Sequence, residues 1–259
     1  RGKPGAGVAG VRRRRGYRVF FAENTLWHSL FGLLFWDELV ESDLLHSSFD
    51  WVPHCLNDRS FAHRFAAQID SKLEAVRSGS AFNLLLRPIA ANWGRPNGIF
   101  AWDHVDVDAL RLLLSGTSGQ GIATIIGLLC RNFRDMRDGF PDPMLEKDGA
   151  VSLMEIKAEG NVIRRNQLTR LRQLGSAGIR AEIGRVDVWE VSVPVPVGHG
   201  QTSPRLRRRC VLGLLAGGRR RGHLQQADRG WEIRSWAGLD VHAAKVVVVD
   251  VDGETDEQR

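Results

Sequence analysis

Three charged side chains in the second half of the chain have the spacing that a catalytic centre would need. Glu155 and Lys157 lie two residues apart in the segment VSLMEIKA, and Asp142 precedes it. Because side chains two apart on a β-strand point to the same face, Glu155 and Lys157 should emerge together. A tight turn at residues 147–149 predicts a hairpin, which would bring Asp142 beside them.

Two carboxylates that converge on one point form a hard-oxygen site of the kind that suits Mg²⁺ or Mn²⁺. We predict that Asp142 and Glu155 hold such an ion, with the backbone carbonyl of Ile156 as a further ligand. A bound ion polarises a phosphoryl oxygen and lowers the pKa of a bound water. Lys157 could orient or activate that water, or stabilise the developing charge. The pattern therefore predicts metal-assisted hydrolysis of a phosphodiester.

The alternative is an ordinary surface hairpin, on which acidic and basic residues commonly alternate. The residues around Glu155 favour the first interpretation. Leu153, Met154 and Ile156 indicate a mostly buried strand. Unpaired charges are costly in such a strand, so a charged pair there needs a reason.

A basic helix is predicted directly after the hairpin, in VIRRNQLTRLRQLGSAG, with Gly178 as its stop. Its polar residues are Arg164, Arg165, Gln167, Arg170 and Arg172. Contact with phosphates and a solvated basic face are both compatible with this pattern.

The composition sets broad limits. The 259 residues, 43% of them hydrophobic, suffice for one large domain or two small ones. A formal charge of +6 fits a nucleic-acid partner, although basic surfaces also serve membranes and acidic proteins. Three cysteines without a CxxC pair argue against disulfides and structural zinc, and favour a reducing compartment. The chain begins with Arg, so we expect a fragment or an uncertain start.

The apolar periodicity predicts four helices followed by a β-β-α-β order. The helices are expected at 23–41, with Asn24 or Thr25 as its cap, at 58–78, from Asp106 onward and at 122–136. The strands and the basic helix follow Gly139. No apolar run approaches the roughly 20 residues that cross a bilayer, and no signal peptide is visible, so we expect no membrane partner.

The segment GFPDPMLEKDGAVSLMEIKAEGNVIRRNQLTRLRQL resembles the VRR-NUC nuclease domain. More narrowly, it resembles the Fanconi-associated nuclease family and its bacterial members. Upstream, AENTLWHSLFGLLFWDELVE resembles the helix that opens the nuclease domain of that family. The resemblance covers roughly residues 17–190. It implies an α/β, restriction-endonuclease-like PD-(D/E)xK core with a helical N-terminal part and a helical insertion.

The resemblance also implies roles for single residues. Asp142, Glu155 and Lys157 match the PD-(D/E)xK residues, Glu23 matches a helix carboxylate that joins the metal site, and Gln167 matches a helix glutamine near it. We expect Arg164, Arg165 and Gln167 to contact DNA. The implied activity is a Mg²⁺- or Mn²⁺-dependent DNA nuclease, a 5′-flap endonuclease and 5′ to 3′ exonuclease. Its DNA would be branched or 5′-flapped, its role interstrand crosslink repair, and its location the cytoplasm with the nucleoid.

One residue departs from the family pattern. Pro143 follows the catalytic Asp where the family has an apolar residue such as Leu. Proline has no N–H and would remove a ladder hydrogen bond from a central strand, so reduced activity is expected. A catalytically weak or inactive DNA-binding remnant from a disrupted gene is therefore the alternative function.

Both ends of the chain differ in composition from its middle. Residues 1–16 are predicted to be a flexible basic lead-in, and residues 191–235 a low-order Arg- and Gly-rich segment. Residues 236–259, with strands at GLDV and KVVVVDV, resemble the start of an insertion-sequence transposase with a RuvC-like DEDD domain. Asp240 would match that domain's first metal carboxylate.

Overall fold

The computed structural model describes residues 4–21, 23–41, 52–158, 161–193, 207–213 and 245–247. The chain divides into two units. The larger comprises Gly16–Glu155 and Val162–Ile183, and the smaller comprises Arg1–Arg15, Ile156–Asn161 and Gly184–Arg259. The class is mixed α/β, as predicted.

Helices make up most of the described residues. In chain order they are α1 (Pro4–Arg14), α2 (Glu23–Leu34), α3 (His54–Asn57), α4 (Phe61–Arg64), α5 (Ala66–Arg77), α6 (Ala81–Asn92), α7 (Val107–Gly116), α8 (Gly119–Arg131), α9 (Phe133–Met136) and α10 (Arg165–Ser176). A π-helical turn at Asp37–Glu41 and a 3₁₀ turn at Trp102–His104 supplement them.

The strands in chain order are β1 (Arg18–Phe20), β2 (Met144–Lys147), β3 (Ala150–Ala158), β4 (Ala181–Val193), β5 (Arg207–Gly213) and β6 (Lys245–Val247).

Helix α2 lies at the centre of the larger unit because its sequence is apolar on almost every side. Trp27, Leu30 and Phe31 are fully buried in one hydrophobic cluster with residues of α5, α6, α7 and α8. A β-carbon at Gly32 would lie only 2.5 Å from the Phe100 ring. Glycine is therefore needed there for close packing.

The sheet of the larger unit is antiparallel, with β2 between β1 and β3. Met144 pairs with Leu153 and Glu146 with Val151, while Phe20 of β1 pairs with Met144. The turn between β2 and β3 has Asp148 and Gly149 at positive φ, the backbone that a two-residue hairpin turn requires. The predicted hairpin is thus confirmed.

The predicted helices exist, with breaks that periodicity did not show. The helix at 23–41 ends at Leu34, and the helix at 58–78 divides at Phe65 into α4 and α5. The third begins as predicted, because the Asp106 carboxylate caps it by accepting the N–H of Ala109 at 2.9 Å. Helix α6 was not predicted. Its Leu84 and Leu86 are about 40% exposed, so its apolar residues do not follow one face.

The smaller unit corrects two expectations. Residues 1–16 were expected to be irregular, but Pro4–Arg14 form α1. Burial of Val8 and Ala9 offsets the poor helix propensity of the glycines around them. Residues 191–235 were expected to hold no stable element, but β5 lies within them.

Strand β5 pairs antiparallel with β4, from Asp187 opposite Gly213 to Val193 opposite Arg207, and parallel with β6. A strand without its own periodicity gains its hydrogen bonds from partners distant in sequence, which is why the pattern did not reveal it. The predicted strand at GLDV, including Asp240, lies outside the described residues.

Among the residues that the structure describes, no single helix has the length and apolarity needed to cross a membrane. The pair α7 and α8 meets the criterion together, by length and composition only, with a bend of 119° between them.

Candidate active site

The hairpin places Asp142 and Glu155 opposite each other. Strand β2 begins at Met144, two residues later than predicted, but its pairing with β3 continues backward beyond that point. The Met154 N–H donates to the Pro143 carbonyl at 2.9 Å. Extending this register by one residue pairs Asp142 with Glu155, and opposed residues of antiparallel strands share a face. The two predicted carboxylates thus belong to one end of one sheet face.

Pro143 lies directly before β2, where it still pairs with Met154 of β3. Its carbonyl accepts the Met154 N–H, and an ordinary residue would return a second bond from its own N–H to the Met154 carbonyl. Proline cannot donate, so this pair keeps one of its two hydrogen bonds. The Asp142–Pro143 peptide bond is cis.

Glu155 is buried, with only 7% of its surface exposed, and it is held by a helix residue. The Gln167 side-chain Nε2 donates to Glu155 Oε1 at 2.8 Å. The other end of the same amide, Oε1, accepts the backbone N–H of Arg164 at 3.1 Å, as in one half of a capping box. Because the helix N-terminus takes the amide oxygen, the NH₂ group must face the carboxylate.

A second buried carboxylate on this sheet face has a different environment. Glu146 accepts the Gly149 N–H at 2.9 Å and lies 3.9 Å from Arg18. It therefore stabilises the hairpin turn at the opposite end of β2 from Asp142.

Glu23 lies beside Asp142 through its backbone. It is the first residue of α2, has a positive φ of 37°, and its N–H donates to Asp142 Oδ1 at 3.4 Å. No group of three or more Asp, Glu, His or Cys side chains within the described ranges is arranged to hold a metal ion. The structure thus brings Glu23 to the site but does not add its carboxylate to those of Asp142 and Glu155 as a third ligand.

The loop of residues 137–143, hereafter the approach loop, leads the chain to Asp142 and is held from two helices. Its Phe140 N–H donates to the Asn24 side-chain oxygen at 3.0 Å, and the Phe140 ring stacks on Trp27 at 5.0 Å. Gly139 has a φ of +95°, and a β-carbon there would lie 2.9 Å from the backbone of Asn166 in α10. Asn24 therefore holds this loop rather than capping α2, which corrects the predicted cap.

Arg170 of α10 contacts the residues directly before the approach loop. It is 4% exposed, its Nε donates to the Met136 carbonyl at 3.3 Å, and its other guanidinium nitrogens donate to the Asp135 carbonyl and to Gln173. Burial lowers the pKa of the guanidinium, although Asp138 and Asp135 act against this. Among the basic residues of the predicted helix, Arg170 is thus structural and does not form part of a solvent-facing basic surface.

The remaining predicted residues have simpler positions. Arg164, Arg165 and Arg172 are exposed, as phosphate contacts would need to be. Lys157 and Ile156 follow Glu155 on β3, both half-buried, and belong to the smaller unit. Sequence reasoning missed Asn24 and the structural role of Arg170, because neither contact has a local signal in the chain.

Comparisons with known proteins match the same part of the chain. Residues 83–188 match the model of the VRR-NUC domain, a range that includes Asp142, Glu155, Lys157 and all of α10. The chain is 27% identical over 179 residues to the Fanconi-associated nuclease 1 homolog of Arabidopsis thaliana, covering 66% of this chain and 20% of the relative. The homolog of Caenorhabditis briggsae is 26% identical over 186 residues, covering 64% and 20%. The chain thus spans about a fifth of the length of the curated relatives it matches.

Solved structures share the fold. The crystal structure of paFAN1 bound to 2-nucleotide 5′-flap DNA with a gap has a TM-score of 0.63 and 22% identity, covering 71% of this chain and 35% of that one. The complex with 1-nucleotide 5′-flap DNA gives a TM-score of 0.64 at 22% identity, with coverage of 74% and 36%. Residues 83–188 of this chain are therefore similar to the VRR-NUC domain, the curated relatives are Fanconi-associated nuclease homologs, and the chain shares the fold of the paFAN1 structures.

Proposed function

We propose that this chain is a divalent-metal-dependent DNA nuclease that hydrolyses phosphodiester bonds at the approach-loop end of β2 and β3. The observation that carries the proposal is the pairing of Asp142 with Glu155 on one sheet face, with Glu155 fixed by Gln167 at 2.8 Å. The VRR-NUC match over residues 83–188 supports the same conclusion.

The donor set fits a hard divalent ion. Carboxylate oxygens are the ligands that Mg²⁺ and Mn²⁺ prefer, and Mg²⁺ is commonly held by one or two carboxylates with waters and substrate phosphates. Asp142 and Glu155 would hold the ion, with the Ile156 carbonyl as a further ligand and Glu23 as an outer one. When bound, such an ion supplies Lewis acidity and an activated water.

The chain's own residues would then position the metal-binding carboxylate and the water, and stabilise the charge on the phosphate. Gln167 fixes the Glu155 carboxylate through a hydrogen bond, and orienting partners of this kind are a common part of metal sites. Lys157, two residues from Glu155 on the same strand, would orient the water or stabilise the charge that develops on the phosphate. Exposed Arg164 and Arg165, at the start of α10, would contact DNA phosphates.

The solved structures that share this fold support a substrate class. The paFAN1 structures that share this fold are bound to 5′-flap DNA. By analogy, we propose that this chain cuts 5′-flapped or branched DNA as an endonuclease and as a 5′ to 3′ exonuclease. Interstrand crosslink repair in the cytoplasm, at the nucleoid, is the corresponding cellular role.

The test is cleavage of a labelled 5′-flap DNA with Mn²⁺ by the parent chain and by Asp142→Ala and Glu155→Ala. Each variant should lose more than about 100-fold in rate, because removing even the outer partners of a metal ligand costs about 10–100-fold. Asp138→Asn is the matched control, an exposed acid in the same loop that should retain activity. Equal cleavage by the parent and both Ala variants would refute this assignment.

The missing N–H of Pro143 favours the alternative, a DNA-binding remnant with weak or no catalysis. A folded parent that binds the flap DNA but cleaves it no faster than Asp142→Ala would establish that alternative.

A further inference from the structure

Arg170 is the buried cation of a helix whose other arginines face solvent. Its guanidinium donates to the carbonyls of Asp135 and Met136 and to the Gln173 side chain, and it lies 5.6 Å from the centre of the Phe140 ring. A desolvated arginine costs free energy unless its donors are satisfied, so these contacts define its position closely.

These contacts hold the approach loop just before its start and at its middle. Asp135 and Met136 come directly before the loop, and Phe140 lies within it, two residues before Asp142. Phe140 is also held by Asn24 and Trp27 of α2. Movement of the Arg170 guanidinium would therefore release one side of Phe140 and, with it, the backbone that leads to Asp142.

The same helix face holds the other carboxylate. Gln167 precedes Arg170 by three residues, which places both on one side of α10. Gln167 donates to Glu155, and Arg170 contacts the segment that carries Asp142. One rigid helix thus fixes two strand-end carboxylates that are 13 residues apart in the chain.

We propose that Arg170 is a positioning residue for Asp142, which acts through Phe140 and the approach loop to set the separation of the two carboxylates. This inference rests on the proposed function. Lysine cannot replace arginine here, because the donors of a planar guanidinium reach several acceptors that a single ammonium cannot.

The experiment compares Arg170→Lys and Arg170→Met with the parent in two measurements. The first is Mn²⁺ affinity without DNA, from the electron paramagnetic resonance signal of free Mn²⁺, with Asp142→Ala marking binding at this site. The second is kcat and KM on 5′-flap DNA, below the melting temperature of each variant. We expect an approximately tenfold or larger rise in the Mn²⁺ Kd, a comparable fall in kcat and an unchanged KM for DNA.

Lys72→Met is the matched control. Lys72 is another largely buried cation, paired with Glu38 at 2.6 Å. It packs over Phe35, which lies roughly 18 Å from Glu23 along the helix axis. Its loss should lower the melting temperature without changing Mn²⁺ affinity or kcat. If an Arg170 variant does not fold, Gln173→Ala, which removes one acceptor of the guanidinium, should raise the Mn²⁺ Kd in the same direction.

Two results would overturn the inference. Parent-like Mn²⁺ affinity in folded Arg170 variants, whatever their melting temperature, would make Arg170 a packing residue only. If the parent does not bind Mn²⁺ at Asp142, there is no metal site for Arg170 to position, and the inference is wrong. A parent that binds Mn²⁺ but does not cleave DNA would refute the proposed function alone, since the Mn²⁺ titration of the Arg170 variants still decides this inference.

Discussion

The Asp142 carboxylate depends on backbone contacts more than on its own strand. The Glu23 N–H donates to it, Phe140 two residues earlier is held by α2, and Pro143 after it keeps one hydrogen bond to Met154. Its position is therefore sensitive to single residues that carry no charge.

Pro143→Leu tests that sensitivity. The variant supplies an N–H that can donate to the Met154 carbonyl, so we expect turnover on 5′-flap DNA to rise several-fold, measured by single-turnover cleavage.

Pro88→Leu controls for stability alone. Pro88 lies inside α6, where its replacement should stabilise the fold by restoring a helical hydrogen bond, without affecting turnover. Unchanged turnover in Pro143→Leu would show that the missing donor does not limit activity.

At the scale of elements, α2 serves the site at its first turn and the hydrophobic core along its length. His28 links the two, because its Nε2 donates to the Arg137 carbonyl at 2.6 Å, at the start of the approach loop. The ring also lies 5.6 Å from Phe133. His28 is therefore held by a hydrogen bond and by packing against an aromatic ring. Burial lowers its pKa from 6.5, with the Arg137 hydrogen bond and Asp138 opposing the shift.

The lowered pKa predicts a loss of stability in acid. Above pH 6.5 His28 is neutral in both states, so it adds no pH dependence. As the pH falls below 6.5, the unfolded chain binds a proton that the folded chain refuses until its own lower pKa is reached. The free energy of unfolding should therefore fall by up to about 1.4 kcal/mol per pH unit in this window.

Denaturation of the parent and of His28→Gln at pH 7.5 and 5.5 measures this difference. Glutamine can donate to the same carbonyl but does not titrate, so the variant should lose less stability than the parent on acidification. Identical losses would mean that His28 is not the group responsible.

For the whole molecule, a charge of +6 and the exposed arginines of α10 favour an electrostatic contribution to DNA binding. Neutralising one phosphate contact changes the slope of log affinity against log salt by about 0.9. If Arg165 makes one phosphate contact, Arg165→Met should reduce the magnitude of that slope by about 0.9. The slope is measured by fluorescence anisotropy with flap DNA in the absence of divalent metal.

Arg111→Met provides the comparison. Arg111 is also exposed, but it pairs with Asp108 at 3.0 Å on α7, outside the basic helix. Its replacement should leave the slope unchanged. An equal slope for Arg165→Met and the parent would exclude Arg165 as a phosphate contact.

The sequence predicted the local part of the site well. Strand alternation and the turn at residues 147–149 predicted that Asp142 and Glu155 lie close together, and the helical period predicted the helix that follows them. Each of these signals is a backbone preference expressed within a few residues, so it can be recognised in the amino-acid sequence alone. The same local logic correctly predicted the helix that begins with an Asp106 cap.

Contacts between distant segments were decided only by the tertiary structure. Arg170 looked like one of several basic residues, and Asn24 like a helix cap, until packing brought both to the approach loop. Strand β5 likewise formed only because β4 offered a partner. The sequence by itself predicted which residues would carry the chemistry. Tertiary packing decided how they are held, because burial and hydrogen-bond satisfaction depend on neighbours that local periodicity does not encode.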